Sequence, residues 1–355
     1  MNKLIVHISE VNIAPDSGMG RVEYYWKKSF EENGFKFVHI GPKEVGDLWH
    51  KSMFPYKAYR YFKKLNIMPR AFIAHEPTSG VFVKNVVPCF VESHGLERRG
   101  WDENIKTPLI NLSARTKLLY PIWRLRNCDR GLTYAKKLLL INSDDKAYAK
   151  EKYLRADDDI FLFKNGVNAF PIENTDLDDF TILFNGSWIE RKGINTLIKA
   201  ANLLFEQGLK INYLLIGTGK DENAVLNDWP EHLKRFLQVV PTFKAEDETQ
   251  YLSRSSLFVL PSFSEGQPLS LLQAMAVGKC CITSNCCGQK DIIKNGLNGL
   301  LFEPGNHEEL ALLISKCYFD KHFAERIGKE AEAHVKNFNW EKVSQEVFEY
   351  VIRNS

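Results

Sequence analysis

Residues 263–298 read FSEGQPLSLLQAMAVGKCCITSNCCGQKDIIKNGLN, and they hold the residue types most able to do chemistry together. A carboxylate, Glu265, sits in a turn formed with Gly266, Gln267 and Pro268. A helix-compatible run, LSLLQAMAVG, follows directly, then an apolar strand, CCITS, then a loop carrying Gly288 and Asp291. A helix that starts at such a turn exposes unpaired backbone N–H groups and its positive end. Pro268, Leu269 and Ser270 would therefore cradle a phosphate. Glu265 beside them would bind hydroxyls or a developing positive charge. Anion donors and a carboxylate in one place suit a sugar attached to a diphosphate. The competing reading is a buried strand–helix turn with a capping Glu.

The elements that must position these residues are short and alternating. Strand patterns KLIVHIS, FKFVHIG, AFIAHE, VVPCFVES, KLLLINS and IFLFKNG fill the first half. RVEYYWKKSFEENG, a helix ending at Gly34, separates the first two. The second half repeats the scheme with TILFNGS, NYLLIGTG, LQVVPTF, LFVLPSF and CCITS, with INTLIKAANLLFEQG and LSLLQAMAVG as helices between them. Strands alternating with helices predict α/β architecture with parallel sheets covered on both faces. At 355 residues two domains are expected. The polar, Pro-containing stretch 168–179 reads as the linker. The expected division is 1–170, 171–335 and a closing helical segment, 336–355, that packs back on the first domain. Two doubly wound domains would face a central cleft at their strand C-terminal ends.

Composition excludes several classes. The chain is 44% hydrophobic and 26% charged, as in ordinary globular proteins. No apolar run approaches the ~20 residues of a membrane span. The start, MNKLIVHISE, enters a strand pattern without a leader's apolar stretch. A cytoplasmic protein is expected. The seven cysteines lack any C-x-x-C spacing, so buried thiols are expected rather than a metal site. Net charge is +3, but residues 1–137 hold 23 Lys and Arg against 13 Asp and Glu. The first half should therefore face something anionic. Residues 51–70, KSMFPYKAYRYFKKLNIMPR, interleave five aromatics with Lys57, Arg60, Lys63 and Lys64. Arg98, Arg99, Arg124, Arg126 and Arg130 add charge in the same half. This pattern predicts a seat on an anionic membrane surface, on its cytoplasmic side, or else an ordinary packed helix with a solvated basic face.

The C-terminal block, S-E-G-Q-P, S-L-L-Q-A-M-A-V-G, the Gly288–Asp291 loop and NGLNGLLFEPGN, resembles retaining glycosyltransferase family 4, whose members have the GT-B fold. The resemblance covers nearly the whole chain. The family's signature is a Glu, seven residues, then a second Glu. Glu265 matches the first, which lies near the donor sugar. Gln273 stands at the second, which commonly binds the nucleotide ribose. Gln273 keeps an acceptor oxygen but loses the charge. The segment 185–193, NGSWIERKG, resembles the part that holds the diphosphate. Lys192 matches the family's Lys, whereas Ser187 replaces its Arg, and Arg191 is the candidate substitute for that charge. Gly18 and Gly20 resemble the family's glycine-rich loop after the first strand, with N–H groups available to a phosphate. Ser93-His94-Gly95 resembles its active-site His loop, and Asn165-Gly166-Val167 its interdomain loop. Gly217 and Gly219 resemble the strand end that the nucleotide approaches, and Thr242 lies where members meet the base.

The resemblance implies transfer of a hexose from a nucleotide diphosphate sugar, with retention of configuration by front-face attack. Glu265, His94 and Lys192 are the expected catalytic residues. No metal or other cofactor is expected. Asp157 to Asp159 contain an Asp-x-Asp spacing but directly precede a strand, which reads as a surface turn. The implied partners are the donor and a glycan or lipid-linked acceptor of envelope polysaccharide synthesis, without nucleic acid; the anionic membrane surface is the expectation from residues 51–70, with the packed helix as its alternative. The alternatives are an epimerase or phosphorylase of the same fold, or a sugar-nucleotide-binding protein without turnover.

Overall fold

The computed structural model describes residues 2–15, 18–106, 112–168 and 179–355. It divides into two units, residues 1–166 with 340–355, and residues 167–339. Most of the expected linker, residues 169–178, lies outside the described residues.

The N-terminal unit is built on β1 (Leu4–Ile8), β2 (Lys36–Ile40), β3 (Ala71–His75), β4 (Cys89–Ser93), β5 (Lys137–Leu140) and β6 (Ile160–Leu162). They form one parallel sheet in the order β2-β1-β3-β4-β5-β6. Each strand matches an apolar run read from the sequence. Such runs arise because parallel strands between helices are buried on both faces. The helix Gly18–Glu32 buries Val22, Trp26 and Phe30. The final helix, Trp340–Asn354, packs on it through Tyr25 stacked on Trp340 at 4.5 Å and Phe30 against Phe348 at 5.1 Å. Gly166 admits no side chain, because an added Cβ would lie 2.5 Å from the Trp340 ring.

The C-terminal unit holds β7 (Thr181–Asn185), β8 (Asn212–Ile216), β9 (Leu237–Val240), β10 (Leu257–Leu260), β11 (Cys280–Ser284) and β12 (Leu300–Phe302). They pair in parallel in the order β12-β11-β10-β7-β8-β9. This is the doubly wound dinucleotide-fold order, and its direction reverses between β7 and β10. β12, three residues long like β6, was not among the strand patterns read from the sequence.

Three readings need correction. Gly18 and Gly20 lie in the first turn of a helix, not in a loop before it. Gly288 and Asp291 likewise fall in a short helix, Cys287–Ile292. The aromatics of residues 51–70 mostly face inward. Phe54 and Phe62 are buried in the helix Phe54–Leu65, Tyr59 and Tyr61 pack against the same core, and Tyr56 alone projects, 59% exposed. A period of 3.6 residues forces that sorting once one face must cover the sheet.

Among the described residues, no helix is long and apolar enough to cross a membrane. All seven cysteines are free, and all except the half-buried Cys286 are buried. Asp157–Asp159 forms a turn in which Asp157 pairs with Lys146 and Lys150, and Asp159 with Lys137 and Arg155.

Candidate functional site

In an open doubly wound sheet, ligands bind beyond the strand C-terminal ends where the order reverses. In the C-terminal unit that point is fixed by two segments, 186–193 after β7 and 261–268 after β10. They are stitched together by the Phe263 amide, which donates to the Arg191 carbonyl at 2.9 Å. Gly193 adopts φ +73°, and a Cβ there would lie 1.8 Å from the Pro261 carbonyl oxygen. Only glycine permits both the left-handed turn and this approach. On the other side the buried Trp188 indole donates to Asp228 at 2.8 Å and anchors the loop.

This framework brings together side chains 73 residues apart. Lys192 Nζ donates to Glu265 Oε1 at 2.6 Å, with the two side chains only 14% and 9% exposed. The Arg191 guanidinium lies 3.8 Å from Glu265 Oε2 and donates to the Ser264 carbonyl. Ser187 is exposed. Two cations thus converge on one carboxylate. An ammonium has three donors, so Lys192 can hold Glu265 and still reach an anion.

The helix Leu269–Ala276 starts at Pro268, and no side chain caps it. Its first N–H groups therefore add to the positive end of the helix. Gly288 packs on the turn so closely that a Cβ would fall 1.6 Å from the Gly266 carbonyl oxygen. Its amide points to the Glu265 carbonyl at 3.4 Å.

Gln273 points elsewhere, and here the structure adds a residue that the sequence did not reveal. Its amide donates to Glu248, as does Asn185 Nδ2 at 2.7 Å. All three residues are buried. Glu248 lies 63 positions from Asn185 and 25 from Gln273, with no shared motif, so no sequence spacing pointed to it. Gly217, at φ +65°, adjoins this group, its Cβ position 3.2 Å from Asn185 Oδ1 and 3.1 Å from the Phe243 ring. Thr242, next to Phe243, is exposed.

In the N-terminal unit, His94 follows β4. Its half-buried ring meets Phe163 edge-on at 5.3 Å and lies 6.5 Å from Trp26. Burial holds its pKa below the ordinary histidine value, against the pull of Glu92, so it is a neutral imidazole at pH 7. The loop before it is set by Glu76, which accepts from Ser93 Oγ at 2.8 Å and from the Glu97 amide at 3.1 Å. Burial, aided by Glu97, raises the Glu76 pKa to about 8.

Beneath this loop, His7 links His39 at 2.9 Å to Glu92 at 3.0 Å. Burial opposes charge on His7, but Glu92 and Glu23 outweigh it and raise its pKa. Glu23 rises to about 8, first through burial. His39 falls to about 3 and His75 to about 4, both mainly through burial. His7, Glu23 and His39 are the one group among the described residues close enough to ligate a metal ion. Both His7 ring nitrogens already take part in hydrogen bonds, which makes the group a polar relay. Gly18 and Gly20 belong to the helix that carries Glu23.

Residues 168–334 match the family model for glycosyl transferases group 1. The match spans the Lys192–Glu265 pair and the Glu248 cluster. The chain is 28% identical over 188 residues to the capsular polysaccharide biosynthesis glycosyltransferase CapM of Staphylococcus aureus, covering 50% of each chain. It is 25% identical over 245 residues to an N,N'-diacetylbacillosaminyl-diphospho-undecaprenol α-1,3-N-acetylgalactosaminyltransferase of Campylobacter jejuni, covering 62% of each. The matches thus span between half and two thirds of the length of these curated relatives. A sucrose-phosphate synthase from Thermosynechococcus elongatus superposes with a TM-score of 0.82 at 19% identity, covering 99% of this chain and 98% of that one. That likeness shows the shared GT-B fold, with two Rossmann-like sheets.

Proposed function

We propose that the protein is a retaining glycosyltransferase. It moves a hexose from a nucleotide diphosphate sugar, UDP-sugars favoured, to a glycan or lipid-linked acceptor in envelope polysaccharide biosynthesis. The observation that carries this reading is the Lys192–Glu265 pair at 2.6 Å, set at the sheet's switch point beside an uncapped helix start. The names of the relatives from Staphylococcus aureus and Campylobacter jejuni support the substrate class.

In this reading Lys192, Arg191 and the N–H groups of residues 269–270 compensate the departing diphosphate. Glu265 orients the sugar hydroxyls and stabilises positive charge at the anomeric carbon. The bond from that carbon to the phosphate oxygen breaks, and a bond to the acceptor oxygen forms on the same face. The acceptor's proton passes to the departing phosphate. His94, as a neutral imidazole, supports the sugar or the reaction centre. Glu248, held by Asn185 and Gln273, returns the carboxylate that position 273 lacks and accepts from the ribose hydroxyls. Carboxylates do this in dinucleotide folds. The protein works in the cytoplasm, at the inner face of the membrane.

A thermal-shift screen of nucleotides and nucleotide sugars tests the reading. A ligand at 100 times its Kd stabilises by about 2.7 kcal/mol, so UDP-sugars should raise Tm by several degrees. No shift with any nucleotide diphosphate or its sugar would contradict it.

A further inference from the structure

The helix Phe54–Leu65 and residues 121–130 leave between them a cavity of about 590 Å³. Lys57, Arg60, Arg126 and Arg130 line it, and among the described residues no carboxylate does. Among the described residues, Arg60, Arg126 and Arg130 enter no ion pair. Lys57 donates only to the Asp47 carbonyl, at 2.7 Å, and its charge is not neutralised. Arg98, Arg99 and Arg124, which the sequence placed in the same basic group, are instead paired, with Asp102 and Asp129, Asp145 and Glu103, and Glu10 and Glu97 respectively. Four like charges around a concavity repel, and an anion relieves that repulsion. Guanidinium groups also match phosphate oxygens in pairs.

The cavity wall is not only basic. Tyr56 and Ile122 line it at 59% and 60% exposure, and Leu118, a turn before Ile122, is 69% exposed. The Trp123 ring is fixed edge-on to His50 at 4.8 Å. A free phosphate would leave the apolar side chains in water. A flat array of headgroups suits a protruding face better than a concavity.

We infer that this cavity holds the diphosphate of a lipid-linked sugar acceptor. The guanidiniums grip the phosphates, and the first apolar units of the lipid lie on Tyr56 and Ile122. The inference rests on the transferase reading and names the acceptor class for it.

The full chain is titrated with farnesyl diphosphate, inorganic pyrophosphate, farnesol and phosphatidylglycerol vesicles, each beside a UDP control. Farnesyl diphosphate should bind at least about tenfold more tightly than pyrophosphate or farnesol. The double variant R60A/R126A should weaken it at least about tenfold, as expected for lost charge-assisted bonds. UDP affinity should stay within about twofold. Tyr56→Ala should weaken farnesyl diphosphate but not pyrophosphate. Farnesyl diphosphate affinity unchanged in both variants overturns the inference. So does equal affinity for pyrophosphate, or vesicle binding that R60A/R126A abolishes while farnesyl diphosphate does not bind. If UDP and GDP both fail to bind the parent chain, the donor reading fails instead, and the farnesyl diphosphate comparison still decides the cavity.

Discussion

Lys192 does two things at once: it neutralises Glu265 and offers charge to an anion. Lys192→Ala therefore removes about 1.5–3 kcal/mol of nucleoside diphosphate binding, roughly ten- to a hundredfold. It also leaves Glu265 with only the longer Arg191 contact, at 3.8 Å, beside the phosphates. The double variant K192A/E265Q should thus bind UDP more tightly than K192A alone, as read by calorimetry. Equal affinity of K192A and the parent chain would remove Lys192 from the diphosphate site. Glu248 carries a separate expectation. Glu248→Gln should narrow the preference for UDP over 2′-deoxy-UDP, because the lost carboxylate is the group that accepts from the ribose. An unchanged preference would make Glu248 a structural link between Asn185 and Gln273 only.

At the scale of elements, the turn that positions Lys192 depends on Gly193. Gly193→Ala forces a Cβ into the Pro261 carbonyl at a left-handed φ. A destabilisation of about 2–4 kcal/mol is expected. Thermal unfolding should show it as a clear drop in Tm, and an unchanged Tm would mean that the turn adapts. Much of this framework was legible in the sequence. Eleven of the twelve strands announced themselves as apolar runs between turn residues; Glu265 stood out by its helix and turn context, and Lys192 by its match to the family's Lys. Glu248 did not, because a contact between residues distant in sequence leaves no period. The pairing of Arg98, Arg99 and Arg124, while Arg126 and Arg130 enter no ion pair among the described residues, was equally invisible. Adjacent cations in one helix are sorted by what packs opposite them, and composition records only their number.

For the whole molecule, the buried acids and histidines of the N-terminal unit set a pH dependence. Glu76 and Glu23 titrate near 8 when folded and near 4.5 when unfolded. The His7 pKa is also raised. Between about pH 6.5 and 8 the folded chain therefore binds more protons than the unfolded chain, so stability falls as pH rises. His39 and His75, lowered to about 3 and 4, act only below about 6.5, where their effect has the opposite sign. Lys279, lowered to about 8 by burial, matters above that value. Glu76 alone contributes up to about 1.4 kcal/mol per pH unit in this window. The Tm should drop by several degrees from pH 6.5 to 8, and by less in Glu76→Gln. A Tm that is flat or rising over that window would mean that these acids are not held protonated.

Transfer is read by incubating the full chain with radiolabelled UDP-sugars and a short-chain lipid-diphosphate sugar, beside the Glu265→Gln variant. The parent should move label into the lipid product with the anomeric configuration of the donor. Glu265→Gln should do so more than about tenfold more slowly while its affinity for UDP stays within about twofold, because its carboxylate acts on the transition state. No labelled product from any nucleotide sugar, or a Glu265→Gln rate within about twofold of the parent, would contradict the role assigned to the Lys192–Glu265 centre.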